Sequence, residues 1–300
     1  MQFDVSLAGF LVGIVVGLTG MGGGALMTPI LVLVFNVQPL AAVSSDLVAA
    51  VVMKPIGGGI HWRRRTVHTG LVRWLAAGSI PGAVGGSYLI SHVGGDVDSA
   101  LQTVLGIVLL VAAASMTARW WLVAHRAEPI ATTADGERPP VRRLVTLLVG
   151  LIGGLVVGVT SVGSGSLMIV ALMLLYPTLM TRELVGTDLV QAVPLVAAAA
   201  LGHLLWGDLQ FGLTGSLLLG SVPGVIVGAQ LSSRANDAAI RPVLVTVLVV
   251  SGAKLLDAPN EVLGAVIAVA LAVGAVIGWR ALERRASARP GPSPDLEHNP

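Results

Sequence analysis

Two clusters of small residues interrupt long apolar runs: Gly20-Met21-Gly22-Gly23-Gly24 within residues 5–35, and Ser161-Val162-Gly163-Ser164-Gly165 within residues 144–176. A single membrane crossing needs about 20 apolar residues, so each run is too long for one span, and the cluster marks where the helix breaks. Backbone at such a break is tolerated at membrane depth only where protein or a water-filled cavity satisfies its polar groups. The helix that restarts near Gly24 or Gly165 presents N–H groups with no intrahelical partner, which is an anion site. Gly20, Gly22, Gly23, Gly24, Gly163 and Gly165 let an oxyanion approach the backbone, and Thr19, Thr160, Ser161, Ser164 and Ser166 add hydroxyl donors. The competing reading is that these small residues only permit close helix packing.

Asp46 and Asp188 are acids inside apolar segments shortly after the two breaks. An ionisable group within a span costs about 3 kcal/mol by insertion scales, which makes both functional candidates, for proton coupling or for orienting the half-helix donors. A helix N-cap is the alternative, because each acid follows a Ser or Thr and opens an apolar stretch. Ser45, Thr187 and Gln191 neighbour these acids and group with them as site support. Lys54 has valine at the matching position 196 of the second half, so it either neutralises an anion on its path or extends to the interface. His61 and His203 sit at span ends without a second ligand at helical spacing, so no metal is assigned, and no cofactor is expected.

The elements that must carry these residues are membrane helices. The 300 residues are 54% hydrophobic and 11% charged, with mean hydropathy +0.86, which excludes an ordinary soluble domain. Cysteine is absent, which removes disulfides, thiolate metal sites and cysteine nucleophiles. Further apolar runs cover 40–60, 71–90, 100–122, 184–203, 209–230, 240–255 and 261–279. The organisation expected is a first transmembrane repeat over 1–122, a cytoplasmic linker over 123–143, a second repeat over 144–255, an additional C-terminal helix over 256–283 and a disordered cytoplasmic tail over 284–300. The start reads as a retained span. With both hairpins entering and leaving on one side and the N-terminus outside, every arginine falls on the cytoplasmic face, from Arg63-Arg64-Arg65 to Arg289. The basic clusters therefore report topology, and no nucleic-acid partner is implied.

The two halves repeat. Gly17 to Met27 aligns with Gly158 to Met168 at an offset of 141, and at 142 Asp46 matches Asp188, His61 matches His203, and Ser79-Ile80-Pro81-Gly82 matches Ser221-Val222-Pro223-Gly224. The loop at Arg63 to Arg65 is strongly basic, whereas its counterpart over 203–212 carries one acid and no lysine or arginine. Equivalent loops on opposite faces predict an all-α polytopic membrane protein of two inverted repeats, each starting with a broken-helix, re-entrant-like hairpin, and alternating access follows from that symmetry.

The paired glycine-rich motifs, the Leu26-Met27-Thr28-Pro29-Ile30-Leu31 stretch, Ser44-Ser45-Asp46-Leu47, Gly186-Thr187-Asp188-Leu189 and the His61 and His203 positions resemble the TauE/SafE family of membrane permeases, often called sulfite exporters. The resemblance covers about residues 5–280. It implies a multi-pass protein of the plasma membrane moving a small anion, commonly an oxidised sulfur species such as sulfite or an organosulfonate. The sequence departs from the family at Ser44-Ser45-Asp46-Leu47, where a Gly-Thr-Ser-Leu-like stretch is frequent, and at Gln191, where His often follows. The expected partners are the anion and the lipid bilayer, with a homodimer as a candidate assembly. Two rivals stand beside this secondary transporter: a passive anion channel lined by the same breaks, and an intramembrane serine protease using Ser164 and His203.

Overall fold

The computed structural model describes residues 3–19, 23–92, 96–125, 139–231, 237–265 and 267–268. They form α1 (Phe3–Thr19), α2 (Gly24–Leu33), α3 (Pro39–Arg63), α4 (Thr69–Ser91), α5 (Val97–His125), α6 (Arg143–Thr160), α7 (Leu167–Leu175), α8 (Thr181–Trp206), α9 (Phe211–Leu231) and α10 (Asp237–Leu255). No strand occurs among the described residues. Five of these helices, α3, α5, α6, α8 and α9, are long and apolar enough to cross a membrane. The protein is an all-α, multi-pass membrane protein.

Both long runs divide at their small-residue clusters, the first into α1 and α2, the second into α6 and α7. With 10 and 9 residues, α2 and α7 reach only about 15 and 13 Å at 1.5 Å per residue, roughly half the hydrocarbon thickness. Gly20 and Gly22 of the first break lie outside the described residues, as do 126–138 of the expected linker and the whole expected tail. Of the expected C-terminal helix over 256–283, residues 260–265 are helical and everything beyond 268 lies outside the described residues.

Packing partners are exchanged between the halves. The two most extensive helix pairs are α4 with α6 and α1 with α9. By the sequence repeat α6 is the counterpart of α1, and α9 of α4, so the first helix of each half packs on the fourth helix of the other. Further contacts also cross between the halves: α3 packs on its counterpart α8, α5 on its counterpart α10, and α4 on α8.

Four glycine ladders at a spacing of four residues make these exchanged pairs close. Gly9, Gly13 and Gly17 of α1 face Gly220, Gly224 and Gly228 of α9, and Gly150, Gly154 and Gly158 of α6 face Gly78, Gly82 and Gly86 of α4. A Cβ on Gly154 would stand 2.2 Å from the Ser79 carbonyl oxygen, and one on Gly224 would stand 2.3 Å from that of Phe10. The backbones touch, an arrangement driven in lipid by van der Waals contact and weak Cα–H···O bonds, since lipid tails compete with any purely apolar attraction. Any side chain at these positions forces the pair apart. Gly154→Ala is expected to cost about 1–3 kcal/mol through overpacking, whereas Gly85→Ala, with nothing within 4 Å of its added methyl, should be neutral or stabilise by up to about 1 kcal/mol. Tryptophan-monitored thermal unfolding in detergent checks both.

Candidate functional site

The second break is built by its own residues. α6 ends at Thr160, whose hydroxyl donates to the Val156 carbonyl (2.7 Å) and accepts from the Val162 N–H (3.2 Å), closing the turn. Ser161 then takes φ 60°, and Gly163 and Gly165 take φ 122° and 99°. All three lie in the left-handed region, which favours glycine, so the type of Gly163 and Gly165 follows from backbone conformation. The Gly163 carbonyl accepts from the N–H groups of Leu167 and Met168 as α7 starts. In the first break the Thr19 hydroxyl, like Thr160, donates to the carbonyl four residues back, at Val15 (2.7 Å), and the Gly23 carbonyl accepts from the N–H groups of Leu26 and Met27.

The two breaks meet. A Cβ on Gly24 would lie 2.1 Å from the Ser161 carbonyl oxygen, so Gly24 serves close approach between the halves. Gly24 thus fits the packing reading of the small residues, while Gly163 and Gly165 are set by backbone conformation.

Asp46 and Asp188 flank this junction, both fully buried. They are not helix caps. α3 is capped at Gln38 and α8 at Met180, which places each acid two turns inside its helix. Asp46 Oδ2 accepts from Ser161 Oγ (2.5 Å) across the halves and from Thr28 Oγ1 (3.2 Å). Asp188 Oδ1 accepts from Gln191 Nε2 (3.2 Å), whose Oε1 accepts from Ser79 Oγ (3.2 Å). Asp46 Oδ1 and Asp188 Oδ2 are buried without a hydrogen-bond partner. Buried polar atoms in native proteins are nearly always paired, and an orphaned carboxylate oxygen marks a position that a proton or ligand can complete.

Lys54 joins the two sides. It is 6% exposed, so it does not extend to the interface. Its Nζ donates to Ser164 Oγ of the second break (2.5 Å) and stands within electrostatic reach of both Asp46 and Asp188. Ser164 therefore has an ammonium beside it. His203, the base expected of a protease, lies elsewhere: its Nε2 bonds the Gly158 carbonyl (2.7 Å) and its Nδ1 bonds Ser44 Oγ (2.8 Å). Ser164 and His203 form no catalytic pair.

Ser45 and Thr187, at equivalent positions, hold scaffold. Ser45 Oγ accepts from Thr214 Oγ1 (3.0 Å) at the start of α9, and Thr187 Oγ1 accepts from the His68 N–H (2.9 Å) at the N-cap of α4. Ser166 is buried at the N-cap of α7 and borders a recess of about 20 Å³ with Ser164 and Thr19. Thr28 was legible within its motif as a residue but not as a donor to Asp46, because its counterpart at the 141 offset is Ile169, which has no hydroxyl.

A cavity of about 290 Å³ leads to the junction. Thr19 and Gly23 of the first break line it, and the face of α3 that presents Lys54, Gly57, His61 and Arg64 forms one wall. Arg64 is exposed and Lys54 buried, so the cavity runs from surface to core. Three of its lining residues are basic and none is acidic. The sequence left Lys54 open between the path and the interface and gave no place on the path to His61 and Arg64. Their spacings of three and four residues along α3 were the available signal. Among the described residues no cluster of His, Cys, Asp and Glu is placed to hold a metal ion.

Comparison with known proteins places this geometry in context. The family described as sulfite exporter TauE/SafE matches residues 5–255. The probable membrane transporter protein YjnA of Bacillus subtilis (strain 168) is 36% identical over 268 residues, covering 85% of this chain and 100% of its own length. The probable membrane transporter protein YdhB of the same organism is 22% identical over 252 residues, covering 84% of this chain and 99% of its own. No solved structure matches.

The hydrogen bond between Lys54 and Ser164 joins the two halves through a charged donor, so its loss should be felt as coupling. In a double-mutant cycle of Lys54→Met and Ser164→Ala, followed by thermal unfolding, the two effects should depart from additivity by about 1.5–3 kcal/mol. Additive effects would show that the contact contributes nothing to stability.

Proposed function

Because the chain belongs to the sulfite exporter TauE/SafE family and is a multi-pass membrane transporter, we propose that it is a secondary transporter that moves a small oxyanion, sulfite or an organosulfonate, across the plasma membrane by alternating access with proton coupling. The observation that carries this reading is the cavity in which Arg64, His61 and Lys54 line one helix face down to the first break, with no acid among its lining residues. A path of one charge sign with low-dielectric walls concentrates counter-ions, so it admits anions and repels cations.

At the bottom of the path each group has a part. Lys54 supplies the charge that compensates the anion. The restart of α2 at Gly23 and Gly24, and the hydroxyl of Ser164, supply hydrogen-bond donors without charge, which suits the several oxygens of a sulfite or sulfonate. When the anion arrives, the Lys54 ammonium shifts from Ser164 and the carboxylates towards it. Asp46 and Asp188 then lose part of their compensation inside the protein, where an unpaired charge is costly. Each has one unbonded oxygen on which to take a proton. Anion binding and proton binding thereby favour each other, which is coupling in the thermodynamic sense.

The orientation proposed places the N-terminus outside and the C-terminus in the cytoplasm, because this puts Arg63, Arg64 and Arg65 at the cytoplasmic face. The cavity then opens inward, and the two halves form an inverted pair, a relation consistent with the exchanged packing of α1 on α9 and α6 on α4.

Proteoliposomes loaded in turn with sulfite, an alkanesulfonate, sulfate and chloride test the reading. Saturable sulfite or sulfonate flux driven by a pH gradient is expected, with Lys54→Gln lowering it by more than about tenfold, the order of one lost charge-assisted bond. Asp46→Asn and Asp188→Asn should lose accumulation against a gradient while keeping anion exchange, since exchange needs no net proton movement. Flux that never exceeds the electrochemical gradient would instead identify a passive channel, and flux of none of these anions would remove the substrate assignment.

A further inference from the structure

His61 and His203 occupy the same position in the two halves but stand in opposite states. His203 is fully buried and bonded through both ring nitrogens, to the Gly158 carbonyl on α6 and to Ser44 Oγ on α3, so it ties three helices together. His61 is half-buried on the cavity wall and bonds only locally through Nδ1, to Thr66 Oγ1 (2.9 Å). The residue of the first half that matches Gly158 is Gly17, and Gly17 lines the same cavity as His61.

The surroundings repeat this contrast. Ala50, Lys54 and Gly57 line the cavity, while their counterparts Ala192, Val196 and Ala199 are packed at 0%, 1% and 0% exposure. One half thus holds a solvent path open at the place where the other has closed it, and the bonded histidine sits on the closed side.

We propose that His203 and His61 are the two gate-closing residues of the transport cycle, acting in alternation: His203 seals the path in this conformer, and His61 seals the opposite path by moving onto the Gly17 carbonyl when the cavity closes. The assignment rests on the transport reading above. Both act by positioning helices, His203 from within the bundle and His61 from the wall of the cavity. The two latches are unequal. Ser44, which bonds His203 from α3, is matched by Gly186, which has no hydroxyl, and the Nδ1 bond of His61 goes to Thr66 just beyond its own helix, so the seal at His61 forms one hydrogen bond fewer between helices. The conformer with the cavity open is therefore the resting one. A single hydrogen bond biases such an equilibrium by up to about tenfold.

The chain contains no cysteine, so single cysteines report accessibility cleanly. Gly57→Cys has room, its added Cβ meeting only Leu189 side-chain atoms at 3.7 Å or more, and it reports the open side. Ala199→Cys reports the closed one. Labelling rates are read with a membrane-impermeant thiosulfonate in oriented vesicles. His203→Ala should speed labelling of Ala199→Cys by about tenfold or more and slow that of Gly57→Cys. His61→Ala should do the reverse, and His203→Gln, which keeps a donor for the Gly158 carbonyl, should restore part of the protection. A purely structural role predicts the same direction in both alanine variants, and that result, or no change in either, overturns the proposal. Sulfite flux through the cysteine-free parent is measured alongside: its absence defeats the transport reading, whereas the signs of the labelling changes judge the latch.

Discussion

Backbone contact between α1 and α9, and between α6 and α4, is the constraint on which the rest of the molecule depends. In lipid there is no hydrophobic force to gather helices, so attraction must come from surfaces that touch over their whole length. The ladders Gly9-Gly13-Gly17 and Gly150-Gly154-Gly158 supply such surfaces at one spacing in both halves. Their partners belong to the opposite half, and this exchange carries the end of α1 and the end of α6 into the same central region. Gly24 then reaches the Ser161 carbonyl, and the two breaks become one site.

Charge in that site follows from its dryness. Asp46, Asp188 and Lys54 are all buried, and the donors that reach the carboxylates are few: two hydroxyls on Asp46 and one amide on Asp188. The halves share motifs and differ in side chain. Ser161 aligns with Gly20, Thr28 with Ile169, Gln191 with Ala49 and Lys54 with Val196. Repetition thus writes one motif into both halves, and Lys54, matched by Val196, puts a cation on the floor of the cavity in the first half. A transporter needs both properties, equivalence to alternate and asymmetry to give its substrate a preferred place.

Much of the frame could be read from the chain. The spans, the division of 5–35 and 144–176 into unequal helices, and the pairing of Asp46 with Asp188 were visible as hydropathy and as an internal offset. The partners of the acids were not. Ser161 and Asp46 are 115 residues apart and meet at 2.5 Å, a contact between repeats that no periodicity within either one reveals. The N-cap reading of the acids failed for a related reason: α3 and α8 begin at Pro39 and Thr181, a full two turns earlier, because polar residues ahead of each acid are accommodated in helix by neighbours such as Thr214 and His203. The protease pairing failed because Ser164 faces Lys54, while His203 is held on another face of α8 by Gly158 and Ser44.

By itself the sequence determined the solvent, the helices and the doubling: enough apolar residues to require a bilayer, glycines where backbone must turn or touch, and a motif written twice. These are local properties, set by composition and spacing along the chain. Only the tertiary structure decided which half each helix packs against, which carboxylate oxygens remain unbonded, that Lys54 rather than a histidine sits beside Ser164, and that a cavity lies at Lys54 while the matching Val196 is packed. Those outcomes depend on contacts between residues more than 100 positions apart, where the physical quantity that matters is distance across the bundle.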